Sequence, residues 1–372
     1  MILSKKRVLI TSSYPAPYRV GVFKTMAEVY DMDIFFETCK NENRNPDWFC
    51  KSGEVSFDIL DNEDSNNKFK EALKNIKQYD FVLAYDPTLV HSMKAIIKCR
   101  LLRIPYFVNN DGAFINKGNF VKTVMKKFIY SGAELCFASG EFSKRYFLTF
   151  GAKKKAVRIH NFTSLNEEDI LKEKVSAGER AELRNKLNLK QDKVYVITVG
   201  QFIERKGFDL LLQAWNKLDV DKAELIIIGG GDDRVKYEAF IAENKLDNVT
   251  IIDFLNKSEL YEYYKASDIF ILPTREDVWG LVINEAMACG LPVISSDNCI
   301  AAQELIIQGE NGFIYPVYDI DAMKDCMQKL VISKEQRNKI AANNIAKMQG
   351  NTIENIGKKH IEDIEEWFES IE

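Results

Sequence analysis

Histidine is almost missing from this chain of 372 residues: only His91, His160 and His360 occur. None lies near a cysteine, so a structural zinc site has no ligand set to draw on. The seven cysteines (Cys39, Cys50, Cys99, Cys136, Cys289, Cys299 and Cys326) are odd in number and scattered, and they form no C-x-x-C. That argues against a disulfide scaffold and suits a reducing compartment. No stretch reaches the roughly 18–20 apolar residues a membrane-spanning helix needs. The apolar run Val8–Ile10 is too short for the h-region of a secretory signal. Internal repeats, low-complexity tracts and sustained heptads are also lacking, which sets aside solenoids and coiled coils. The expectation is a cytoplasmic protein that at most rests on the inner face of a membrane.

The residues that are present have an ordinary globular balance, 46% apolar and 28% charged. The length suits two domains. The formal net charge of −4 conceals an asymmetry: residues 1–160 hold 26 basic and 17 acidic residues, and residues 161–372 hold 25 and 38. Between Lys94 and Arg158 fourteen basic residues face only Asp111, Glu134 and Glu141. A basic half joined to an acidic half raises the question of which anion the basic half meets.

Short β-branched runs alternate with amphipathic segments throughout. Strands are expected at Arg7–Ser13, Asp33–Glu37, Phe81–Tyr85, Tyr106–Asn109, Leu135–Ser139 and Val157–Asn161, then at Tyr195–Gly200, Glu224–Gly229, Val249–Asp253, Ile269–Pro273, Pro292–Ser295 and Gly312–Tyr315. Several are nearly continuous apolar runs, as strands covered on both faces require. The pattern predicts an α/β protein of two doubly wound, Rossmann-like domains with ligands at the C-terminal strand ends. The domains are expected over 1–165 and 166–354, joined within the polar stretch Phe162–Glu182. A helix over about 355–372, with Ile361, Ile364, Trp367 and Phe368 on one stripe, could return to the first domain. Asp61–Lys68 reads as a solvated loop.

The most informative stretch is Leu272–Pro292, LPTREDVWGLVINEAMACGLP. It predicts a strand, an acidic turn, and a helix from about Trp279 to Cys289, stopped by Gly290-Leu-Pro. Amides at such a helix start seat phosphate. Gly280 would let the backbone at Leu281 approach a ligand closely. Asp277 falls at the helix mouth and Glu285 about two turns deeper, so one carboxylate could hold hydroxyls near a phosphate and the other a diol. The alternative reading makes Glu276 and Asp277 capping acids and Glu285 an exposed helix residue. Arg205 and Lys206 lie just past a strand end and could balance charge on a leaving diphosphate without a metal, or form a solvent-facing pair.

This stretch resembles the E-x7-E signature of glycosyltransferase family 4, the retaining, metal-independent glycosyl transferases group 1 with the GT-B fold. Asp277 stands where the first glutamate is usual, and Glu285 matches the second. Val199–Gly207 resembles the family's G-R-L-x-x-x-K-G, and Ile228–Gly231, Tyr264–Pro273 and Glu304…Gly312 follow in the family's order. The resemblance implies two Rossmann-like domains facing each other across a cleft. It implies Glu285 as the donor ribose ligand, Asp277 (with Glu276 beside it) at the donor sugar, Lys206 at the diphosphate, and a donor contact at Gly230. Gln201 replaces an arginine usual in the family, which leaves the separate roles of Arg205 and Lys206 open. Three D-x-D triplets, Asp31–Asp33, Asp219–Asp221 and Asp319–Asp321, lie at element boundaries and are read as unrelated to metal binding.

The first half matches the family less closely. Pro17 starts a helix that carries Tyr18 and Arg19, and Arg19 is favoured as an anion contact with donor phosphate or acceptor. Asp111, at the end of a strand, is either a turn former with Gly112 or a cleft acid that orients the acceptor hydroxyl or serves as general base. Gly118–Ser131 reads as a basic amphipathic helix, either packed on the core or docked on an anionic bilayer. A nucleic-acid partner has no stacking or binding motif to support it. The resemblance therefore implies a glycosyltransferase moving a sugar from a nucleotide-diphosphate sugar to a lipid-linked or cell-surface polysaccharide hydroxyl, with no separate cofactor. A sugar-nucleotide 2-epimerase of the same fold and a non-catalytic glycan- or partner-binding relative are the alternatives.

Overall fold

The computed structural model describes residues 5–39, 55–112, 114–115, 119–218 and 222–371. Cys50, Gly118 and the triplet Asp219–Asp221 lie outside them. The chain forms two compact units: Met1–Ser164 with Asn351–Glu372, and Leu165–Gly350.

The first unit is built on seven parallel strands, β1 (Arg7–Ser12), β2 (Asp31–Phe36), β3 (Asp58–Ile59), β4 (Phe81–Tyr85), β5 (Tyr106–Asn110), β6 (Leu135–Ala138) and β7 (Val157–Ile159). Their order in the sheet is β3-β2-β1-β4-β5-β6-β7. Between them run α1 (Pro17–Ala27), α2 (Glu63–Lys74), α3 (Val90–Leu102), α4 (Phe120–Ser131) and α5 (Glu141–Thr149). The central strands are buried on both faces, with Val8–Ile10 and Phe81–Ala84 fully enclosed, which is why they read as unbroken apolar runs. Strand β3 escaped the sequence reading because two residues leave no pattern.

The stretch Asp61–Lys68, expected to be loop, is corrected: α2 begins within it. Asn62 caps the helix by accepting from the Ser65 amide at 2.9 Å, and the buried Phe69, Ala72 and Leu73 fix it to the core. The final helix, α14 (Ile353–Glu369), packs on α1 within the first unit. Trp367 meets Phe107 edge-on at 5.2 Å, Phe368 meets Phe81 at 5.8 Å, and the Tyr30 hydroxyl donates to Glu365 at 2.8 Å.

The second unit holds six parallel strands: β8 (Val194–Gln201), β9 (Ala223–Gly230), β10 (Val249–Ile252), β11 (Ile269–Leu272), β12 (Val293–Ser296) and β13 (Gly312–Tyr315). Their order is β10-β9-β8-β11-β12-β13. Its helices are α6 (Ala177–Lys186), α7 (Phe208–Asn216), α8 (Arg234–Glu243), α9 (Lys257–Ala266), α10 (Leu281–Ala288), α11 (Ile300–Leu305), α12 (Ile320–Ile332) and α13 (Lys334–Met348). Helix α6 occupies part of the stretch expected to be a linker. Ser176 caps it at the Glu179 amide, and Arg184 is drawn inward to Asp268 at 2.7 Å.

Candidate functional site

In the second unit the site forms where β8 and β11 end. After β8 a single 3-10 turn, Glu204–Lys206, closes on Gly207, whose φ of 70° is left-handed. A Cβ there would come within 2.1 Å of the Pro273 carbonyl oxygen, so only glycine lets this turn lie against the end of β11. Thr274 and Arg275 lock the two segments together. The Thr274 hydroxyl lies within reach of the Arg205 and Glu276 carbonyls (3.0 and 2.9 Å), and the Arg275 amide donates to Arg205 at 2.8 Å. The Arg275 guanidinium grips Asp209 with two bonds of 2.8 and 2.7 Å. Burial alone would push the Asp209 carboxyl up, but those bonds prevail and hold it below its ordinary range.

The outcome of this locking is that Lys206 meets Asp277. The Lys206 ammonium donates to Asp277 Oδ2 at 2.6 Å, and each side chain is only 13% exposed. The Arg205 guanidinium stands 3.8 Å from the same oxygen and donates to the Glu276 carbonyl at 2.7 Å. Two cations thus share one carboxylate. Glu276 is exposed and contributes its backbone carbonyl. Asp277 is tied down through its backbone, taking an amide from Ile300 and giving one to the Asn298 carbonyl, and its Oδ1 accepts from Trp279 N at 3.3 Å.

The helix after this turn is shorter than expected. It starts at Leu281, because Gly280 takes a left-handed φ of 96° as the N-cap, where a Cβ would meet Cys299 Sγ at 2.8 Å. Neither Glu276 nor Asp277 caps it. Glu285 is therefore in the second turn of α10, not two turns below Asp277, and about 6 Å along the axis from Leu281. The buried Tyr264 hydroxyl, on α9, donates to Glu285 at 3.4 Å. Burial, reinforced by the Glu285 charge, holds the Tyr264 phenol well above its ordinary value, so it stays a donor. Gly230 ends β9 against the exposed Phe254 ring, and its carbonyl accepts from the Phe202 amide at 2.8 Å. Sequence reasoning missed Arg275 and Tyr264 as supports, although both lie inside quoted motifs.

The first unit has its own polar cluster where β1, β4 and β5, neighbours in the sheet, end side by side. Arg19, only 2% exposed, donates to Ser12 Oγ at 2.6 Å, to Asp86 at 2.8 Å, and at close range to Asp111. Arg19, expected as an anion contact with donor phosphate or acceptor, has its guanidinium shared by two carboxylates of the chain itself. The Tyr18 hydroxyl donates to Asp111 at 3.2 Å, and the Asn109 amide reaches its other oxygen at 3.2 Å. These groups line a cavity of about 20 Å³, room for about one water, together with His160 and His360. The two histidines touch through ring nitrogens 2.9 Å apart, and His160 holds Asp363 of α14 at 2.5 Å. Sequence reasoning missed Asp86, which carried no motif.

The remaining expectations separate. Asp31 and Asp33 face Arg7, Asp319 caps α12, and Asp321 pairs with Lys217, which accounts structurally for the two described D-x-D triplets. The apolar positions of α4 do not all pack on the core: Ile129 and Tyr130 are buried, whereas Phe120 is 79% exposed and Val121, Val124 and Phe128 also face outward. Lys126 turns over the Tyr146 and Phe150 rings, and Arg100 of α3 stacks on Phe128 at 4.4 Å. Leu101, at 76% exposure, continues the apolar surface along α3.

Two doubly wound parallel-sheet units define the GT-B class of glycosyltransferase folds. Anabaena HepE, solved in complex with UDP, superposes with a TM-score of 0.80 over 97% of this chain and all of that one, at 17% identity. Residues 179–347, within the second unit, match the family model "Glycosyl transferases group 1". An alpha-D-kanosaminyltransferase of Streptomyces kanamyceticus is 28% identical over 52% of this chain and 50% of its own length. The capsular polysaccharide biosynthesis glycosyltransferase CapM of Staphylococcus aureus is 26% identical over 73% of this chain and 81% of its own. The chain spans about half the length of the first curated relatives it matches.

Proposed function

We propose that this protein is a retaining glycosyltransferase that moves a sugar from a nucleotide-diphosphate sugar to a hydroxyl of a lipid-linked or cell-surface polysaccharide. The observation that carries the reading is the Lys206–Asp277 pair beside the start of α10, with Glu285 in the same helix. Lys206, Arg205 and the first amides of α10, at Leu281 and beyond, offer positive charge where a diphosphate leaves. Asp277 takes donor-sugar hydroxyls and Glu285 the ribose diol. No metal enters this scheme, because the cations of the chain itself balance the leaving group. Asp111 orients the acceptor hydroxyl, whose proton passes to the departing diphosphate. The reading gains support from HepE, solved with UDP and with UDP-glucose, and from two relatives that are glycosyltransferases of capsular polysaccharide and O-antigen biosynthesis.

The test is a thermal-shift panel of uridine and guanosine diphosphate sugars, since a bound donor raises apparent stability. A shift with one nucleotide class, lost in Glu285→Ala, supports the reading; no shift with any overturns it. Incubation with the donor alone then separates transfer or hydrolysis, which frees nucleotide, from epimerisation, which does not.

The same reading places the first unit on an anionic membrane surface on the cytoplasmic side, through Phe120, Val121 and Leu101 flanked by Lys122, Lys127 and Arg103. No described helix is long and apolar enough to cross a membrane. Exposed apolar residues ringed by lysines suit an interfacial helix. Vesicles rich in anionic lipid should retain the protein at low salt and release it at high salt, and failure to retain it refutes the docking.

A further inference from the structure

The second unit is acidic, with 23 basic and 31 acidic residues over 165–350, yet it gathers a further group of cations that the scheme above does not use. This group lies where β8 and β11 begin, at the other end of the strands from Lys206 and Asp277. The four residues of β11, about 13 Å of extended chain, separate the two places. Asp268, just before β11, accepts from the Tyr195 amide at 2.9 Å, from Arg180 Nη1 at 2.7 Å and from Arg184 Nη2 at 2.7 Å. Arg180 and Arg184 are four residues apart on α6 and so share a face. Lys174, just before α6, donates to Asn338 in the first turns of α13, beside the buried Arg337. The charges of Arg180 and Arg337 act on Lys174, and those of Arg180 and Arg184 act on Arg337. Asp268 is the one carboxylate among the described residues that acts on Arg180 or Arg337.

Packing accounts for only part of this group. Arg184 spends its guanidinium within the fold, on Asp268 and on the carbonyls of Ala266, Gln191 and Lys193 at 3.0–3.1 Å. Arg337 Nη1 closes the open end of α12, donating to the Leu330 and Val331 carbonyls at 2.6 and 2.8 Å. The Nε and Nη2 atoms of Arg180 and Arg337 have no acceptor among the described residues, and none of the four is sealed from solvent. Four cations against one carboxylate leave a surplus of three positive charges on side chains that are largely buried, an arrangement that calls for a counter-charge. We infer that Lys174, Arg180 and Arg337 form an anion site of the second unit, separate from the donor site, that takes the phosphate group of a soluble molecule. Free guanidinium arms match two oxygens of one phosphate, and a dianion answers the surplus better than a single carboxylate does. An anionic bilayer does not suit the place, because the unit as a whole carries a net −8. Burial is the largest influence on all three cations and disfavours their charge, and the Asp268 charge offsets it only in part.

The experiment is phenylglyoxal modification of the full chain, read at each arginine by peptide mass spectrometry, with and without inorganic phosphate. Phosphate should slow the reaction of Arg180 several-fold, acetate and phosphatidic acid vesicles should not, and Arg234 of α8 should react alike throughout. Calorimetry with inorganic phosphate then separates the two sites. Saturable binding should persist in Lys206→Ala and weaken about tenfold or more when Arg180→Gln is added. Arg180→Gln alone should leave nucleotide affinity unchanged. No protection of Arg180 by phosphate, or equal protection by acetate or by the vesicles, overturns the inference even if the variants do not fold. Phosphate binding that vanishes with Lys206→Ala, or that Arg180→Gln leaves unchanged, overturns it as well. If no sugar nucleotide binds, the proposed function fails, while the protection of Arg180 still decides this site.

Discussion

The two polar clusters have opposite signs, and each opposes the bulk charge of its own unit. The first half of the chain is the basic one, but its cluster sets two acids, Asp86 and Asp111, around Arg19 alone. The second half is acidic, but its cluster sets Arg205 and Lys206 around Asp277 alone. Folding softens the bulk asymmetry without reversing it, because the acidic tail, with seven acidic and two basic residues over 351–372, returns to the first unit. The units then net +4 and −8. Bulk charge acts over a Debye length and governs which surfaces approach. A buried cluster acts at contact distance and decides what binds: phosphate suits the cationic cluster, and neutral hydroxyls suit the anionic one.

The strongest way to break this comparison is to remove the surplus cation. Lys206→Ala should lower kcat by about 10²–10³-fold, the loss seen when one stabiliser of a developing charge is removed, and steady-state transfer assays read it directly. Activity near wild type would mean that the cationic cluster does not meet the leaving group. Glu285→Ala should weaken nucleotide binding by about 10–100-fold by calorimetry, the cost of hydrogen bonds to a charged group. Asp111→Asn should separate the clusters: kcat/KM toward the acceptor should fall about tenfold or more, with the nucleotide Kd unchanged. A change in nucleotide affinity would make the first-unit cluster part of donor binding.

Most of the sheet framework was legible because buried parallel strands leave near-continuous apolar runs; Phe81–Tyr85 and Gly312–Tyr315 match the expected strands residue for residue. The second-unit cluster was legible because a turn and a helix start impose glycines at fixed positions, and Gly207 and Gly280 both adopt left-handed backbones where a Cβ would collide. The pairing of Lys206 with Asp277, 71 residues apart, was not legible, since it depends on how the two loops lock through Thr274 and Arg275. The partners of Arg19 are not legible for the same reason: Asp86 and Asp111 come from the ends of two other strands. Helix α2 was taken for loop because its polar first turn hides the buried Phe69 and Leu73 that follow.

A smaller effect distinguishes the units by pH. All three histidines belong to the first unit. Burial, and then the neighbouring His160 charge, hold His360 well below its ordinary value, so it stays neutral in the folded protein. The unfolded chain binds a proton below about pH 6.5 that the native His360 refuses. Stability contributed at this site is therefore lost as pH falls through that value, by at most about 1.4 kcal/mol per unit. Hydrogen exchange corrected for intrinsic rates should show α14 losing protection between pH 7 and 5 while α10 keeps it. Equal losses in both helices would show that the acid response is not local to the histidine pair.

The smallest expected effect concerns the bulk charge itself. If the basic surplus of the first unit serves docking on an anionic bilayer, each lysine near the surface contributes about 1 kcal/mol. Lys122→Ala and Lys127→Ala should then each lower vesicle partitioning about fivefold at low salt, while neutralising the exposed Lys236 of the second unit should leave it unchanged. Phe120→Ser should weaken binding at high salt as well, because salt screens the lysines but not the burial of a ring. Equal losses from lysines of either unit would reduce the contrast to net charge. A loss confined to α4 would locate it in one helix, whose outward Phe120, Val121 and Val124 are not covered by the core.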